Sequence, residues 1–272
     1  AEKLENIILK SKPYEKNIMN LFIHGGNGAG KLTLARYYTQ LYTELENPCL
    51  NLETIKYESK ELEYYRGAKH AELIVYKYNF SDVNIIHKFF ETVCHASLDY
   101  RINNKKVIII KNIENIRREN IYLVKFYLEK FSVNNAFILI SKNGIPKEFL
   151  GFLTCIRVPL PTDEELLTIS KNVMKSRNIK AKKNDLKKVV KQAGRNIQTL
   201  INLLELSYLT GKYHEVSNTE ECKFLFLYKL LRKKSVKTVF QIRELLVDLL
   251  TENITSQQIL KFLVNRFLKS QN

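Results

Sequence analysis

The stretch Gly25-Gly26-Asn27-Gly28-Ala29-Gly30-Lys31-Leu32-Thr33 decides the fold of this 272-residue chain. Four residues separate Gly25 from Gly30, and Lys31 follows, which is the Walker A pattern of a phosphate-binding loop. The mostly apolar run Leu21–His24 predicts a strand before the loop, and residues 31–41 predict a helix after it. In that setting the loop's N–H groups and the helix N-terminus face phosphate, and Lys31 reaches the outer phosphates. The sequence therefore predicts a nucleotide-binding loop at residues 25–33.

Strands and helices alternate over residues 1–160, which indicates a parallel sheet with right-handed crossovers. Pro159-Leu160-Pro161 ends the alternation, and Thr162 to Glu165 forms a predicted capping box. Only helices are predicted beyond that point. The sequence therefore predicts an α/β P-loop core at 1–160, a three-helix lid at 161–213 and an all-α collar at 214–272. The core strands are expected at 21–24, 73–78, 107–110, 136–140 and 156–158, and its helices at 31–41, 83–98 and 119–131; the lid helices are expected at 163–176, 183–193 and 196–210.

The loop lacks the residues that handle Mg²⁺ in an ATPase. The residue after Lys31 is normally Ser or Thr, whose hydroxyl binds the metal, but here it is Leu32. Thr33 does not substitute, since a helix turns ~100° per residue. The two acidic Walker B positions after the apolar run 107–110 hold Lys111 and Asn112, and Glu114 lies two residues too late. We therefore expect nucleotide binding, as ATP or ADP with at most weakly held Mg²⁺, and no efficient hydrolysis.

The net charge of +16 favours polyanionic partners such as nucleic acid. The Lys-, Asn- and Ile-rich composition of an AT-rich genome is the alternative explanation of that charge. No apolar run approaches the ~20 residues of a membrane span, so no membrane partner is expected. Four cysteines without metal-site spacing are expected to be buried thiols: Cys49, Cys94, Cys155 and Cys222.

The chain resembles the AAA+ clamp loaders, and within them the degenerate small subunit of replication factor C called subunit 3 or 5. The matching stretches are Gly28–Thr33, Asn79–Asp82, Lys106–Ile110, Leu128–Phe131, Phe137–Ile140, Arg157–Pro161, Arg195–Gln198 and Asn202–Glu205. The family's N-terminal Trp-x-x-Lys-Tyr-Arg-Pro segment has no counterpart, and truncation is expected there.

The resemblance also identifies catalytic positions that have changed. The stretch Gly151–Cys155 corresponds to the family's Ser-Arg-Cys motif and has no arginine to lend to a neighbour's ATP. Gln198 stands at the expected sensor-2 arginine, and the sensor-1 asparagine maps to Lys142 or Asn143. Candidate contacts to DNA phosphates are Arg117 and Arg118, with Lys88 and Lys105 as further candidates.

The resemblance implies a non-catalytic or weakly catalytic subunit of a hetero-pentameric clamp loader. Such a complex places a sliding clamp on primer–template DNA, in the nucleus or in a viral replication compartment. Two alternatives stay open. The first alternative is a stand-alone P-loop ATPase whose acidic group is Glu114. The second is a structural scaffold with an empty nucleotide site.

Overall fold

The computed structural model describes residues 18–43, 50–58, 60–67, 69–75, 83–95, 105–177, 183–210, 219–233, 236–251, 254 and 256–269. The chain divides into two compact units, residues 1–202 and 203–272. The predicted boundaries of the lid and the collar are finer than this division and stay predictions. The resembling stretch Asn79–Asp82 lies outside the described residues.

The first unit is built on a seven-stranded sheet in the order β2-β3-β4-β5-β6-β1-β7. Neighbouring strands from β4 to β7 in this order run parallel, which confirms the predicted parallel core. The strands are β1 (Leu21–Gly25), β2 (Asn51–Tyr57), β3 (Lys60–Arg66), β4 (His70–Ile74), β5 (Lys106–Lys111), β6 (Asn135–Ser141) and β7 (Thr154–Val158).

Helices cover both faces of this sheet. The helices before the lid are α1 (Lys31–Thr43), α2 (Val83–His95) and α3 (Arg118–Phe131), and they are followed by α4 (Asp163–Ser176), α5 (Lys183–Gln192) and α6 (Ile197–Thr210). On one face, Ile108 and Ile110 of β5 share a core with Phe89 of α2 and Val124 of α3. On the other face, Val107 and Ile109 share a core with side chains of α1. Burial on both faces explains why β5 is a continuous apolar run.

The hairpin of β2 and β3 was not predicted. These strands pair antiparallel with each other, and β3 pairs antiparallel with β4, so the sheet is mixed. Among the hairpin residues whose burial is described, the buried ones are Ile55, Leu62 and Tyr64, and their many charged neighbours weaken the period-two pattern. Glu58, which follows β2, adopts a positive φ of 53° although it is neither glycine nor asparagine, so the usual turn residues do not mark this position.

Two further expectations are corrected. Strand β4 spans His70–Ile74, whereas the sequence predicts 73–78, of which residues 76–78 lie outside the described residues. The prediction missed the start of the strand, because the buried polar residues His70 and Glu72 interrupt the apolar pattern. Cys155 is exposed on β7, whereas Cys94 is buried as expected. The predicted capping box of α4 is confirmed: Thr162 accepts from the Glu165 N–H, and the Glu165 carboxylate accepts from the Thr162 N–H at 2.8 Å.

The second unit contains α7 (Thr219–Arg232), α8 (Val236–Thr251) and α9 (Ser256–Lys269). Its core is formed by Phe224, Leu227, Leu249, Ile254 and Ile259. Among the described residues, none of the helices combines the length and apolarity that crossing a membrane requires.

Candidate functional site

Gly25 ends β1 directly beside β7, at the start of the phosphate loop. A Cβ at this position would lie 2.2 Å from the carbonyl oxygen of Val158, its pairing partner on β7. Since that neighbour is backbone, only glycine permits this approach. The parallel pairing of β1 with β6 and β7 therefore fixes where the loop leaves the sheet.

The first turn of α6 rests on the phosphate loop within the first unit. Gly28 has a left-handed φ of 72°, and a Cβ there would lie 1.7 Å from the side-chain oxygen of Asn196. That oxygen also caps α6 by accepting the N–H groups of Gln198 and Thr199 at 2.9 and 3.2 Å. The N–H of Ile197 donates to the carbonyl of Gly28 at 3.0 Å. Gly28 is therefore held against the cap of this helix.

A second contact ties the loop to the segment that follows β7. Leu160 packs against Gly26, where a Cβ would lie 2.9 Å from Leu160 Cδ2. The Arg195 guanidinium donates to the carbonyls of Pro161 and Leu160 at 3.0 and 3.4 Å. Arg195 itself adopts a left-handed φ of 64°, which costs a non-glycine residue of order 1 kcal/mol or more. Sequence reasoning missed these contacts, because no local pattern marks them.

Lys31 lies at the N-terminus of α1 with its ammonium group turned to the loop. It donates to the carbonyls of Gly25 and Gly26 at 2.8 and 2.7 Å. Burial lowers the pKa of Lys31, the Glu114 carboxylate acts in the opposite direction, and the positive charges of Lys111 and Lys142 lower the pKa further. The ammonium group is therefore in electrostatic contact with charged residues that follow β5 and β6.

An ion pair between a partly solvated arginine and a buried glutamate joins α1 to the sheet. Arg36 binds both carboxylate oxygens of Glu72 on β4, at 2.8 and 2.7 Å, and Glu72 is only 1% exposed. Burial by itself raises the pKa of Glu72, but hydrogen bonds from His70 and Arg36 and the Arg36 charge outweigh it and lower the pKa to about 2. The pair fixes the helix whose first residue is Lys31.

The residues at the metal positions do not fit Mg²⁺. Leu32 packs against the apolar cluster under the sheet, and Thr33 is exposed. Lys111 ends β5, where a carboxylate ligand is expected. The Asn112 amide donates to the carbonyl of Val75 at 3.4 Å, and its φ of 62° suits asparagine. Among the described residues, no cluster of three or more His, Cys, Asp or Glu has the arrangement of a metal site.

The remaining candidate residues of the site lie close to the same edge of the sheet. Glu114 accepts the N–H of Lys142 at 3.2 Å, so its carboxylate lies beside the end of β6. Asn143 is exposed, and its N–H donates to the hydroxyl of Ser141 at 3.0 Å. Gln198 is also exposed; the α6 side chain that faces the loop is Ile197, which lies 3.6 Å from the Cβ position of Gly30. The sensor roles stay predictions.

Arg117 and Arg118 begin α3 beyond the carboxyl end of β5. Arg117 is the N-cap residue of α3, and the Arg118 side chain is 82% exposed with its Nε 3.9 Å from a carboxylate oxygen of Glu148. Both remain available to a phosphate backbone, because an exposed ion pair of this length is weak.

The other two candidates for DNA contacts, Lys88 and Lys105, lie near side chains and carbonyl groups of the core. The Lys88 ammonium lies 5.6 Å from the centre of the Tyr57 ring. Lys105 donates to the carbonyl of Ser132 at 2.9 Å and precedes β5, whose six residues span about 20 Å. The structure therefore does not bring Lys105 together with Arg117 and Arg118. All four remain predicted DNA contacts.

The parallel core with its phosphate loop, followed by helices, fits the fold of an AAA+ type of P-loop protein. Solved structures support this fold. A RuvB variant from Thermotoga maritima matches with a TM-score of 0.55, 13% identity, and coverage of 89% of this chain and 75% of that chain. A second RuvB variant matches with a TM-score of 0.52 and 12% identity, covering 89% of this chain and 67% of that one.

Sequence relatives give a more particular result. A replication factor C small subunit of Acanthamoeba polyphaga mimivirus is 25% identical over 96% of this chain and 73% of the relative. Replication factor C subunit 5 of Saccharomyces cerevisiae is 24% identical over 96% of this chain and 80% of the relative. Replication factor C subunit 3 of Arabidopsis thaliana is 21% identical over 99% of this chain and 80% of the relative. No protein-family model matches the chain. The resemblance to clamp-loader small subunits of the replication factor C type is confirmed.

Proposed function

We propose that this chain is a nucleotide-holding subunit of a replication factor C-like clamp loader, with weak or no ATPase activity of its own. It would assemble with other clamp-loader subunits into a hetero-pentamer that places a sliding clamp on primer–template DNA. The proposed setting is the nucleus or a viral replication compartment. The observation that carries this proposal is the extent of the similarity, which includes the phosphate loop, the lid and the helical C-terminal unit.

The second unit supports assembly through its exposed apolar side chains. On α8, Val239, Phe240, Val247 and Leu250 fall within one helix face, and Phe240 is 70% exposed. A similar face of α9 carries Leu260, Val264, Phe267 and Leu268. Exposed apolar side chains grouped on the faces of two consecutive helices are typical of protein–protein interfaces. We infer that other clamp-loader subunits cover them.

Features of the first unit support the view that this chain contributes no catalytic arginine to the nucleotide site of a neighbouring subunit. In the stretch Gly151–Cys155, Phe152 is 39% exposed, and the ammonium group of Lys125 lies 4.9 Å from the centre of its ring. Tyr122, Phe126 and Leu150 are also exposed in this unit. An aromatic side chain contributes contact area to an interface but cannot stabilise the charge of a neighbour's phosphate as arginine does.

Co-expression with the other clamp-loader subunits of the same source tests the proposal. We expect the wild-type chain to co-purify with them as one assembly of defined mass in light scattering. Phe240→Glu should weaken assembly, whereas Gln241→Glu adds the same charge at a neighbouring exposed position outside the apolar face and should not. A chain that stays monomeric and captures neither subunits nor clamp would refute the proposed role.

The stand-alone ATPase is the second candidate, and one observation favours it. The Glu114 carboxylate acts electrostatically on Lys31 and opposes the burial that lowers the pKa of that lysine, so an acidic group lies within electrostatic range of the loop. Its position argues against catalysis, however, because one carboxylate oxygen already accepts the N–H of Lys142 at 3.2 Å.

A further inference from the structure

Three lysines meet at the carboxyl edge of three adjacent strands. Lys111 ends β5, Lys142 follows the end of β6, and Lys31 follows β1 through the phosphate loop. The strands are neighbours in the order β5-β6-β1, and the parallel register pairs Lys111 with Ile140 and His24 with Ser141. All three chain positions therefore lie at the same end of the sheet, beside the phosphate loop.

The electrostatic balance of this edge is positive. The charges of Lys111 and Lys142 act on the Lys31 ammonium, and Glu114 is the carboxylate that acts on it as well. Within the described part of the chain, this group thus sets three cations against one carboxylate. Lys31 and Lys111 are partly buried, so the repulsion between their ammonium groups is less screened than it would be in open solvent. An anion placed at the loop would relieve this repulsion.

Among the described residues, the positions at this edge that hold metal ligands in an ATPase carry no carboxylate or hydroxyl ligand. Leu32 turns to the core, Asn112 binds the backbone of Val75, and Lys111 occupies the first acidic position. A Mg²⁺ ion bridging the phosphates would contribute two positive charges, and Lys111 and Lys142 contribute the same number. Their ammonium groups are point charges that suit phosphate oxygens.

We propose that the phosphate loop binds a nucleoside di- or triphosphate without Mg²⁺, with Lys111 and Lys142 supplying the charge that the metal supplies elsewhere. This inference rests on the proposed nucleotide-holding role and specifies its chemistry. It also accounts for three departures from an ATPase site together. Leu32, Lys111 and Asn112 each remove a metal contact, and the new lysine strengthens direct phosphate binding.

Calorimetric titration of the full chain with ADP and with ATP, in EDTA and in Mg²⁺, tests the inference. The wild-type affinity in EDTA should equal or exceed the affinity in Mg²⁺. Lys111→Met and Lys142→Met should each weaken binding in EDTA by at least about tenfold. Lys111→Asp should weaken it further in EDTA and make binding depend on Mg²⁺. Lys147→Met removes an exposed lysine outside the site and serves as the matched control.

Lys142 is exposed, so its variant is expected to fold even if a substitution at the half-buried Lys111 perturbs the sheet. The inference is overturned if Mg²⁺ tightens wild-type binding more than about tenfold, or if both methionine variants bind like wild type in EDTA. Absence of binding in both buffers also overturns it. That last outcome leaves the subunit role intact, because co-purification with other subunits tests that role separately.

Discussion

The backbone N–H of Ile197 donates to the carbonyl of Gly28 at 3.0 Å, so the first turn of the lid helix α6 is bonded directly to the phosphate loop. The Asn196 side chain caps the same helix and fills the space beside Gly28. Any displacement of α6 from the loop must break this contact. The phosphate loop and the start of α6 therefore form one structural element within the first unit.

Ile197→Pro tests this contact selectively. Proline is tolerated at the first position of a helix but has no N–H, so the helix should persist while the bond to Gly28 is lost. We expect faster hydrogen exchange in residues 25–33 and a loss of about 1 kcal/mol in unfolding free energy. Ile197→Ala retains the N–H and is the control for the lost side chain. Equal exchange in wild type and Ile197→Pro would contradict the coupling.

Three glycine substitutions separate backbone strain from steric exclusion at the loop. Gly28→Ala combines a left-handed φ with a clash against Asn196, Gly151→Ala has a left-handed φ in open space, and Gly144→Ala has neither. We expect Gly151→Ala to cost about 1 kcal/mol, Gly144→Ala to be neutral or stabilising, and Gly28→Ala to cost more than either. Thermal unfolding and ADP titration measure the series. Gly28→Ala alone should abolish nucleotide binding, and retained binding would show that Asn196 can move aside.

The sequence predicted the central sheet because its signals are local. The run Val107–Ile110 is apolar on both faces, and such a run fits only a covered strand. The hairpin at β2 and β3 escaped prediction, because its few buried residues are diluted by charged neighbours that face solvent. Its antiparallel pairing depends on the sheet edge offered by β4, which is information that a local pattern does not contain.

The site divides in the same way. The loop at 25–33 is predictable, since spacing alone fixes which backbone groups can surround phosphate. The contacts of Asn196, Ile197 and Leu160 with loop glycines join segments far apart in the sequence. A tertiary contact of this kind becomes visible only when the lid is placed on the core. The loss of the Walker B acids could be predicted from the sequence, whereas the hydrogen bond from the Asn112 amide to the carbonyl of Val75 could not.

Because the buried Glu72 is paired with Arg36, we predict that the stability of the protein depends on pH. The pKa of Glu72 falls from its ordinary 4.5 to about 2 on folding, so its contribution is present above pH 4.5 and is lost as the pH falls towards 2. The change corresponds to about 3 kcal/mol at most, because Arg36 is partly solvated. The stability difference between wild type and Glu72→Gln in urea should shrink by about 2 kcal/mol from about pH 6 to about pH 3.

Glu61→Gln is the matched control for that experiment, because Glu61 pairs with Lys56 on the exposed face of the hairpin. A surface pair contributes little, so this variant should follow the wild-type pH profile. A difference between wild type and Glu72→Gln that stays constant with pH would mean that Glu72 is not held ionised by its partners.

Glu114→Gln decides whether the carboxylate beside the loop performs chemistry. Since Glu114 accepts the N–H of Lys142, we expect it to position the end of β6 and not to activate water. Phosphate release from ATP by the isolated chain should then be equally low in wild type, Glu114→Gln and Lys31→Ala. If Glu114 were a general base, its substitution would slow turnover by about 10²- to 10⁴-fold. Measurable wild-type turnover that is lost in both variants would therefore identify an active ATPase and reverse the assignment of a non-catalytic subunit.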